Sequence, residues 1–176
     1  IYSKNAFERL YPASTTKVMT AIVALDAVAS GAVSLDSTVT VSAAAAAVGE
    51  SSAGLQEGDA MPLEVALKAL LVPSGNDAAV AIAETIGGSE DAFVASMNAK
   101  AAELGCTDTV FENPHGLDDG EFAGDQHSCA ADVAKMARYA MRNETFRTIV
   151  GGGDTGIVVD RADGTRATIE LESTDE

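Results

Sequence analysis

Apolar residues recur at helical spacing over much of the chain. In the segment 14–30 they follow the period of an α-helix, and Gly31 ends the run. The predicted apolar positions of this helix are Val18, Ile22, Leu25, Val28 and Ala29. A helix over 14–30 is therefore the first predicted element.

The same period returns in four later segments, and each is predicted as a helix. Pro73 ends the first of them, and a pair of glycines ends the second. The third follows Ser89, with Glu90 and Asp91 in its first turn, where the helix dipole favours acidic residues. The four predicted segments are 63–72, 76–86, 90–105 and about 130–142.

Alternation of apolar and polar residues predicts strands elsewhere. The segment 32–41 contains strand-like pieces, and two runs near the end, TGIVVDR and TRATIELE, flank the turn sequence ADG and predict a hairpin. The alanine-rich run 42–50 is expected to form a helical turn. Two polar, glycine-bearing stretches, 51–62 and 109–127, are predicted loops.

The order of these elements predicts an α+β fold. The helix-rich part extends over about 14–150, and the opening residues resemble the tail of a strand, so the sheet is expected to draw strands from both ends of the chain. We expect residues 1–176 to form a single domain that is truncated at both ends, because the chain opens in a strand tail and stops while a sheet is being built.

Composition excludes several classes of function. With 47% hydrophobic residues the chain can bury a substantial core, and no apolar run reaches the roughly 18 residues that a membrane-spanning helix needs. The net charge of −16 argues against nucleic-acid binding, which requires a clustered basic surface. Cys106 and Cys129 lack the spacing of a metal site, and their pairing in a disulfide or survival as two buried thiols stays open.

The first candidate for chemistry is the pair Ser14 and Lys17, within YPASTTKVMTAI. Residues three apart share a helix face, so hydroxyl and amine can meet, and a lysine whose pKa is lowered can act as a base toward a serine. A serine at a helix N-terminus is also a common cap, and the lysine could simply face solvent. The pair alone leaves both interpretations open.

The second candidate is Ser74-Gly75-Asn76, which follows an apolar run and a proline and opens a predicted helix. This position presents a hydroxyl and a carboxamide on a tight turn at a helix entrance. Capping again explains these residue types, since serine and asparagine are favoured there.

Taken together, four segments resemble the penicillin-binding D-alanyl-D-alanine carboxypeptidases of bacterial cell-wall metabolism. PASTTK lies about sixty residues before LLVPSGNDAA, and LGCTDTVFENPHGLDD and QHSCAADVAKMARYA follow downstream. The similarity extends from Asn5 to about Val150. It implies a beta-lactamase/transpeptidase-like fold with a helix-rich part and an antiparallel sheet that is incomplete in this chain.

The resemblance also implies roles for four residues. Ser14 matches the nucleophile that is acylated by the penultimate D-alanine, and Lys17 matches the base that takes its proton. Ser74 matches the hydroxyl that relays a proton to the leaving D-alanine. Asn76 matches the amide that holds the substrate backbone and steadies Lys17. No cofactor and no metal are implied.

One motif of the family, Lys-Thr-Gly on a sheet strand, is absent from the 176 residues. It would be expected about a hundred residues beyond Asn76, and the run Asp154-Thr155-Gly156 lacks its cation and is predicted to be a strand connection. Because that strand supplies one donor of the oxyanion hole, we expect this chain to be catalytically impaired on its own.

Two other functions were weighed against the carboxypeptidase. A class A-type beta-lactamase prefers Ser-Asp-Asn at the second motif and needs a glutamate that this sequence does not offer. A non-catalytic cell-wall-binding module would keep the fold without the four residues that are intact here. The two histidines, His115 and His127, are expected to be structural hydrogen bonders rather than the base of a triad.

The resemblance further implies a location and partners. A bacterial protein of this kind acts outside the cytoplasm, on peptidoglycan stem peptides, and beta-lactams acylate the same serine. Membrane attachment would require a tail that is not in this sequence. Because an incomplete sheet exposes strand edges, a homodimer or strand exchange is also expected.

Overall fold

Helices dominate the part of the chain that the structure, a computed structural model, describes, residues 3–174. The helices are α1 (Thr16–Ala29), α2 (Ala43–Ala47), α3 (Leu63–Leu71), α4 (Asn76–Gly87), α5 (Glu90–Glu103), α6 (Ala130–Ala140) and α7 (Glu144–Val150). The strands are β1 (Thr38–Thr40), β2 (Ala60–Pro62), β3 (Thr155–Asp160) and β4 (Arg166–Leu171). A 3₁₀ turn, Ala13–Thr15, leads directly into α1.

The core is centred on α1 and α4, which pack against each other. Every side chain in the first two turns of α4 is buried, and half of them are alanine, which lets neighbouring helices approach closely. Helix α1 also contacts α3, α5 and α6, with Met19 and Ile22 among its fully buried side chains. The first turns of both central helices are therefore held rigidly from several directions.

The four strands form one antiparallel sheet in the order β1-β2-β3-β4. The hairpin β3–β4 has the alternation expected of a half-buried sheet: Ile157 and Val159 are buried, whereas Val158 between them is exposed. The predicted turn sequence closes this hairpin, with Gly164 at φ +84°. Strand β2 joins the hairpin to β1.

A buried ion pair fastens the hairpin to the rest of the sheet. Arg161, just after β3, donates to Asp59 at 2.6 Å, and the Asp59 side chain is fully buried beside the start of β2. Asp59 also accepts a hydrogen bond from the backbone N–H of Gln56. The connection holds two segments about a hundred residues apart in the chain.

The α+β fold predicted from the sequence is confirmed, and its helices lie close to their predicted bounds. Two elements were missed: β2 lies inside the predicted loop 51–62, and α7 follows α6 where no helix was predicted. Both are short, and β2 has only three residues. In the described residues β1 and β2 come from between α1 and α3, and the opening segment from residue 3 onward, where a strand tail was expected, adds no strand to the sheet. Residues 1 and 2 lie outside the description.

None of the helices within residues 3–174 has the length and apolarity needed to cross a membrane.

Candidate active site

Ser14 and Lys17 meet at the entrance of α1. Ser14 lies in the 3₁₀ turn and is exposed, whereas Lys17, in the first turn of α1, is buried with 3% of its surface accessible. Lys17 Nζ is 3.1 Å from Ser14 Oγ, within hydrogen-bond distance. The spacing of three residues thus brings an amine against an accessible hydroxyl, as the sequence predicted.

The surroundings of Lys17 favour its neutral form. Burial lowers the pKa of Lys17 to about 8, and the negative charge of Asp77 offsets part of that effect. Within residues 3–174 no carboxylate forms an ion pair with it. Its position in the first turn of a helix also disfavours a cation. Lys17 is therefore suited to accept a proton from Ser14 near neutral pH.

The loop 113–117 supplies the other partner of the amine. Lys17 Nζ donates to the carbonyl oxygen of His115 at 2.9 Å. The side chain of Asn113 holds this turn by accepting from the N–H groups of His115 and Gly116, and Thr20 of α1 donates to the carbonyl of Pro114 at 2.6 Å. A neutral amine that donates to His115 can direct its lone pair at Ser14 Oγ.

Gly116 allows this loop to touch the turn that carries Ser14. Its φ is +97°, and a Cβ at this position would lie 1.9 Å from the carbonyl oxygen of Ala13. Ala13 itself has φ +45°, in the left-handed region that non-glycine residues seldom adopt. The backbone on both sides of this contact is therefore tightly constrained immediately before Ser14.

Ser74 and Asn76 lie at the entrance of α4. Ser74 adopts φ +63°, and its Oγ is buried without a hydrogen-bond partner among the described residues. Gly75 follows with no room for a side chain, since a Cβ would lie 2.6 Å from the carbonyl oxygen of Ala69. A buried, unpartnered hydroxyl on strained backbone is an unusual arrangement that often accompanies function.

Asn76 is 1% exposed, and its side-chain amide donates to the carbonyl oxygen of Gly49 at 2.9 Å. Its hydrogen bond therefore fixes the loop before α3 and does not reach Lys17, whose partners are Ser14 and His115. The structure bonds Ser14 to Lys17 directly. Ser74 and Asn76 lie at the entrance of α4, the helix that packs on α1.

Comparison with known proteins identifies the family. Residues 1–151 match the family model of the peptidase S11 D-alanyl-D-alanine carboxypeptidases. The chain belongs to this family. D-alanyl-D-alanine carboxypeptidase DacF of Bacillus subtilis is 41% identical over 152 residues, which are 86% of this chain and 38% of that protein. DacC of Escherichia coli is 38% identical over 140 residues, 76% of this chain and 34% of its own.

Solved structures agree with the family assignment. The DD-transpeptidase of Streptomyces K15 superposes with a TM-score of 0.87 at 33% identity, over 99% of this chain and 68% of that chain. A D-alanyl-D-alanine carboxypeptidase from Mycobacterium tuberculosis gives 0.85 at 34% identity, over the whole of this chain and 62% of its own. The chain thus spans less than half the length of the two carboxypeptidases DacF and DacC. These findings favour a carboxypeptidase over a beta-lactamase.

In this carboxypeptidase family member neither histidine contacts Ser14. His115 is 1% exposed and stacks edge-on against Phe122 at 4.7 Å. Burial and the charge of Lys17 lower the pKa of His115 to about 4, so its ring is neutral at physiological pH. His127 bonds the carbonyl oxygen of Asp125 through Nδ1 at 2.6 Å. Both contacts are those of structural side chains.

The two cysteines are buried free thiols. Burial raises the pKa of Cys106 to about 11, which makes it a poor nucleophile. Near them Asp108, Cys129 and Asp132 place three potential ligand atoms within 4.8 Å of one another. Asp132, however, is already bonded to Lys135, Thr109 and the N–H of Asp108, so this cluster is internally satisfied.

Two groups of the site carried no recognisable signal in the sequence. The partner of Lys17 is a backbone carbonyl 98 residues away, and any residue type can offer a carbonyl. In the sequence, Asp77 is indistinguishable from an ordinary acid in the first turn of a helix, where acids are common. Asp154 precedes β3, as predicted for a strand connection, and accepts from the N–H of Ser173. For Thr155 and Gly156 that prediction is wrong, because both lie in β3, where they pair with β4.

Proposed function

We propose that the chain carries the acylation machinery of a serine-type D-alanyl-D-alanine carboxypeptidase that removes the terminal D-alanine from peptidoglycan stem peptides. Ser14 is the nucleophile and Lys17 its base. Ser74 relays a proton to the leaving D-alanine, and Asn76 binds the substrate backbone. The observation that carries the proposal is the 3.1 Å hydrogen bond between exposed Ser14 and buried Lys17, which has no ion pair within residues 3–174.

The reaction begins with a proton transfer. Lys17 takes the proton of Ser14 Oγ, and the oxygen attacks the carbonyl carbon of the penultimate D-alanine. The resulting oxyanion forms at the N-terminal end of α1, where the helix dipole favours negative charge, and the backbone N–H of Ser14 is its proposed donor. When the intermediate collapses, the peptide C–N bond breaks, and the leaving amine receives a proton through Ser74. Water then hydrolyses the ester on Ser14.

Each assigned residue has a position that fits its role. Ser74 Oγ is buried and has no hydrogen-bond partner among the described residues, so its hydroxyl remains available to pass a proton. Asn76 is clamped by Gly49, which fixes its orientation at the entrance of α4. The pKa of Lys17, lowered to about 8, is close to the pH at which a base works best.

Labelling with a fluorescent penicillin tests the proposal, because beta-lactams acylate the nucleophile of such enzymes and leave a stable ester. We expect one label per chain, located on Ser14 by peptide mass spectrometry, and none in Ser14→Ala. Ser30→Ala, which changes an exposed serine at the other end of α1, is the matched control and should label like the unmodified chain. Labelling that survives in Ser14→Ala would contradict the assignment.

Release of D-alanine from a peptide ending in D-Ala-D-Ala separates a carboxypeptidase from a cell-wall-binding module. Binding by calorimetry without D-alanine release would favour the module. The rate of labelling also tests the expectation of impaired activity: slow acylation agrees with the absence of Lys-Thr-Gly from the 176 residues, and rapid stoichiometric labelling contradicts it.

The same proposal assigns the protein to the bacterial cell envelope, outside the cytoplasm, with peptidoglycan stem peptides and beta-lactams as its ligands. The expected homodimer or strand exchange would use the exposed edge of β4, which is the last strand in the order of the described sheet. Light scattering at high concentration tests it, and a clean monomer would count against it.

A further inference from the structure

Asp77, next to Asn76 in the first turn of α4, is a buried carboxylate with several hydrogen bonds and no cation bonded to it. It is 1% exposed and accepts from the hydroxyl of Ser52 at 2.7 Å and from the N–H groups of Ala53 and Leu55 at 3.0 Å. All of these donors are neutral. Among residues 3–174 the carboxylate is therefore held by neutral donors alone.

These bonds fasten the segment 49–55 to the entrance of α4. The entrance of α4 also donates to this segment. The side chain of Asn76 donates to the carbonyl of Gly49, and its backbone N–H donates to that of Ser51 at 2.8 Å. Asp77 thus holds the far end of the segment while Asn76 holds the near end. Asp77, the residue after Asn76, therefore fixes the loop that borders Asn76.

Asp77 also interacts electrostatically with Lys17. The two side chains come from α4 and α1, which pack together, and the carboxylate raises the pKa of Lys17 against the larger effect of burial. Among residues 3–174 neither group has an ion-pair partner.

We propose that Asp77 is a positioning residue of the acylation step: it holds the segment 49–55 against Asn76 and supplies the buried negative charge that balances Lys17 when it takes the proton of Ser14. The inference rests on the proposed function, since it concerns the ammonium formed in that step. A buried ammonium without a counterion is costly, and a fixed carboxylate lowers that cost as the proton arrives.

The other charged groups around α1 are already engaged. His115, whose carbonyl contacts Lys17, has a neutral ring above about pH 4. Glu84, further along α4, accepts a hydrogen bond from Ser42. The remaining helices that pack on α1 carry their own ion pairs, namely Glu64–Lys68 on α3, Lys100–Glu103 on α5 together with Asp26, and Asp132–Lys135 on α6. Among these groups, the charge that acts on Lys17 is that of Asp77.

The direction of the effect follows from the sign of the charge. Without the carboxylate, the protonated form of Lys17 keeps its bond to the His115 carbonyl but loses a stabilising negative charge, so its pKa falls below the present value of about 8. More of the amine is then free at neutral pH, but it is a weaker base and its ammonium is less stable. The acid limb of the acylation profile should move to lower pH while the plateau falls.

Nuclear magnetic resonance reads the titration of Lys17 directly and needs no activity. The chain has five lysines, and Lys17→Met assigns the Cε signal of Lys17. In Asp77→Asn we expect its titration midpoint to fall by about one pH unit relative to the unmodified chain. Asp132→Asn is the matched control, since Asp132 is equally buried, at 1%, and should leave the midpoint unchanged. A midpoint that stays in place in Asp77→Asn overturns the inference.

Penicillin labelling across pH gives the second readout. In Asp77→Asn the acid limb should follow the shifted midpoint, and the plateau rate should fall about three- to tenfold. Ser52→Ala removes one hydrogen bond but keeps the charge, so its acid limb should coincide with that of the unmodified chain. If the unmodified chain shows no labelling, the proposed function fails, whereas a shift of the Lys17 midpoint would still establish the charge coupling.

If Asp77→Asn does not fold, Asp77→Glu provides the test. It keeps the charge but displaces it by one methylene, so the Lys17 midpoint or the plateau rate should change. Asp132→Glu, which makes the same displacement at the other buried acid, should change neither. A profile for Asp77→Glu that matches that of the unmodified chain in both respects overturns the inference.

Discussion

Two buried charged side chains in this protein, Lys17 and Asp132, illustrate how similar positions serve opposite purposes. Each lies in the first turn of a helix, and each is almost fully buried. Asp132 is an acid at the positive end of α6 and is bonded to Lys135, Thr109 and the N–H of Asp108. Lys17 is a base at the positive end of α1 and has no ion pair within residues 3–174.

The pKa values of the two side chains shift in the directions that their contacts predict. Burial alone would raise the pKa of Asp132, but its bonds to Lys135, to the N–H of Asp108 and to Thr109 outweigh burial and hold that pKa below its usual value. Burial dominates at Lys17 and lowers its pKa to about 8. The fully bonded charge stabilises the fold, and the poorly compensated one is available for proton transfer. Substitutions at the two positions should therefore separate stability from reactivity.

The largest expected effect follows from Lys17→Met. Removing the base should lower the rate of penicillin acylation by about 10³-fold, within the range for general-base catalysis. The free energy of unfolding should change by less than about 1 kcal/mol, because an apolar side chain of similar size replaces a buried amine that has no ion pair. Stopped labelling reactions and urea unfolding measure the two quantities.

Lys68→Met is the matched control for that experiment. Lys68 is partly exposed on α3 and pairs with Glu64 at 3.2 Å, so both acylation and stability should stay close to those of the unmodified chain. Loss of acylation in both variants would point to a general dependence on positive charge rather than to a base at Lys17.

Gly116→Ala tests the support of the site rather than its chemistry. Its Cβ would overlap the carbonyl oxygen of Ala13 at a backbone angle of φ +97°, so the loop must move away from the turn that carries Ser14. We expect a loss of about 3 kcal/mol in the free energy of unfolding, together with slower acylation because the His115 carbonyl no longer holds Lys17.

Gly120→Ala separates crowding from backbone strain. Gly120 also has a positive φ, +56°, but nothing lies within 4 Å of the position of its Cβ. Its substitution should cost only about 1 kcal/mol and leave acylation unchanged. Equal losses in the two variants would show that the contact between Gly116 and Ala13 is unimportant.

The contact between Ser14 and Lys17 could be predicted because its information is local. Ser14 and Lys17 are one helical turn apart, and the turn at Ser74 and Asn76 lies beside a proline and a glycine that mark the start of a helix. The carbonyl of His115 could not be predicted in the same way, because backbone contacts between distant segments leave no residue-type pattern. The same limit applies to the short strand β2, which exists through its pairing with β1 and β3.

The family resemblance predicted which distant residues belong to one site, which residue spacing alone could not. It joined Ser14 and Ser74 into one site across about sixty residues, and the packing of α1 on α4 agrees with that placement. It did not predict the hydrogen bond of Asn76, whose side chain bonds Gly49 in the structure. Helix α7 did have a local signal, since Asn143 caps it by accepting from the N–H of Phe146.

The contribution of Lys17 to the free energy of unfolding should depend on pH. Its pKa is about 8 in the folded chain and near 10.5 when unfolded, so the unfolded chain binds more protons between these values. The contribution of Lys17 to stability is therefore least favourable below pH 8 and improves as pH rises toward 10.5. Relative to Lys17→Met, the unmodified chain should gain up to about 3 kcal/mol over this interval.

Because Cys106 also titrates in alkaline solution, only the difference between the two chains isolates Lys17. Urea unfolding at pH 7.5 and at pH 10 measures it. A difference that stays constant with pH, or that shrinks, would mean that the ammonium of Lys17 is as well accommodated in the folded chain as in water.

The smallest expected effect concerns Asp132, and it completes the contrast. Asp132→Ala removes an acceptor from Lys135, Thr109 and the N–H of Asp108, and the last two are partly buried. Lys135 can turn to solvent, so the loss should be about 2 kcal/mol rather than the larger cost of an abandoned buried charge. Acylation of Ser14 should keep its rate and its acid limb, because no bond of Asp132 reaches α1. A variant that unfolds more easily yet acylates normally would assign stability to one buried charge and reactivity to the other, whereas a shifted acid limb would show that the two regions are electrostatically coupled.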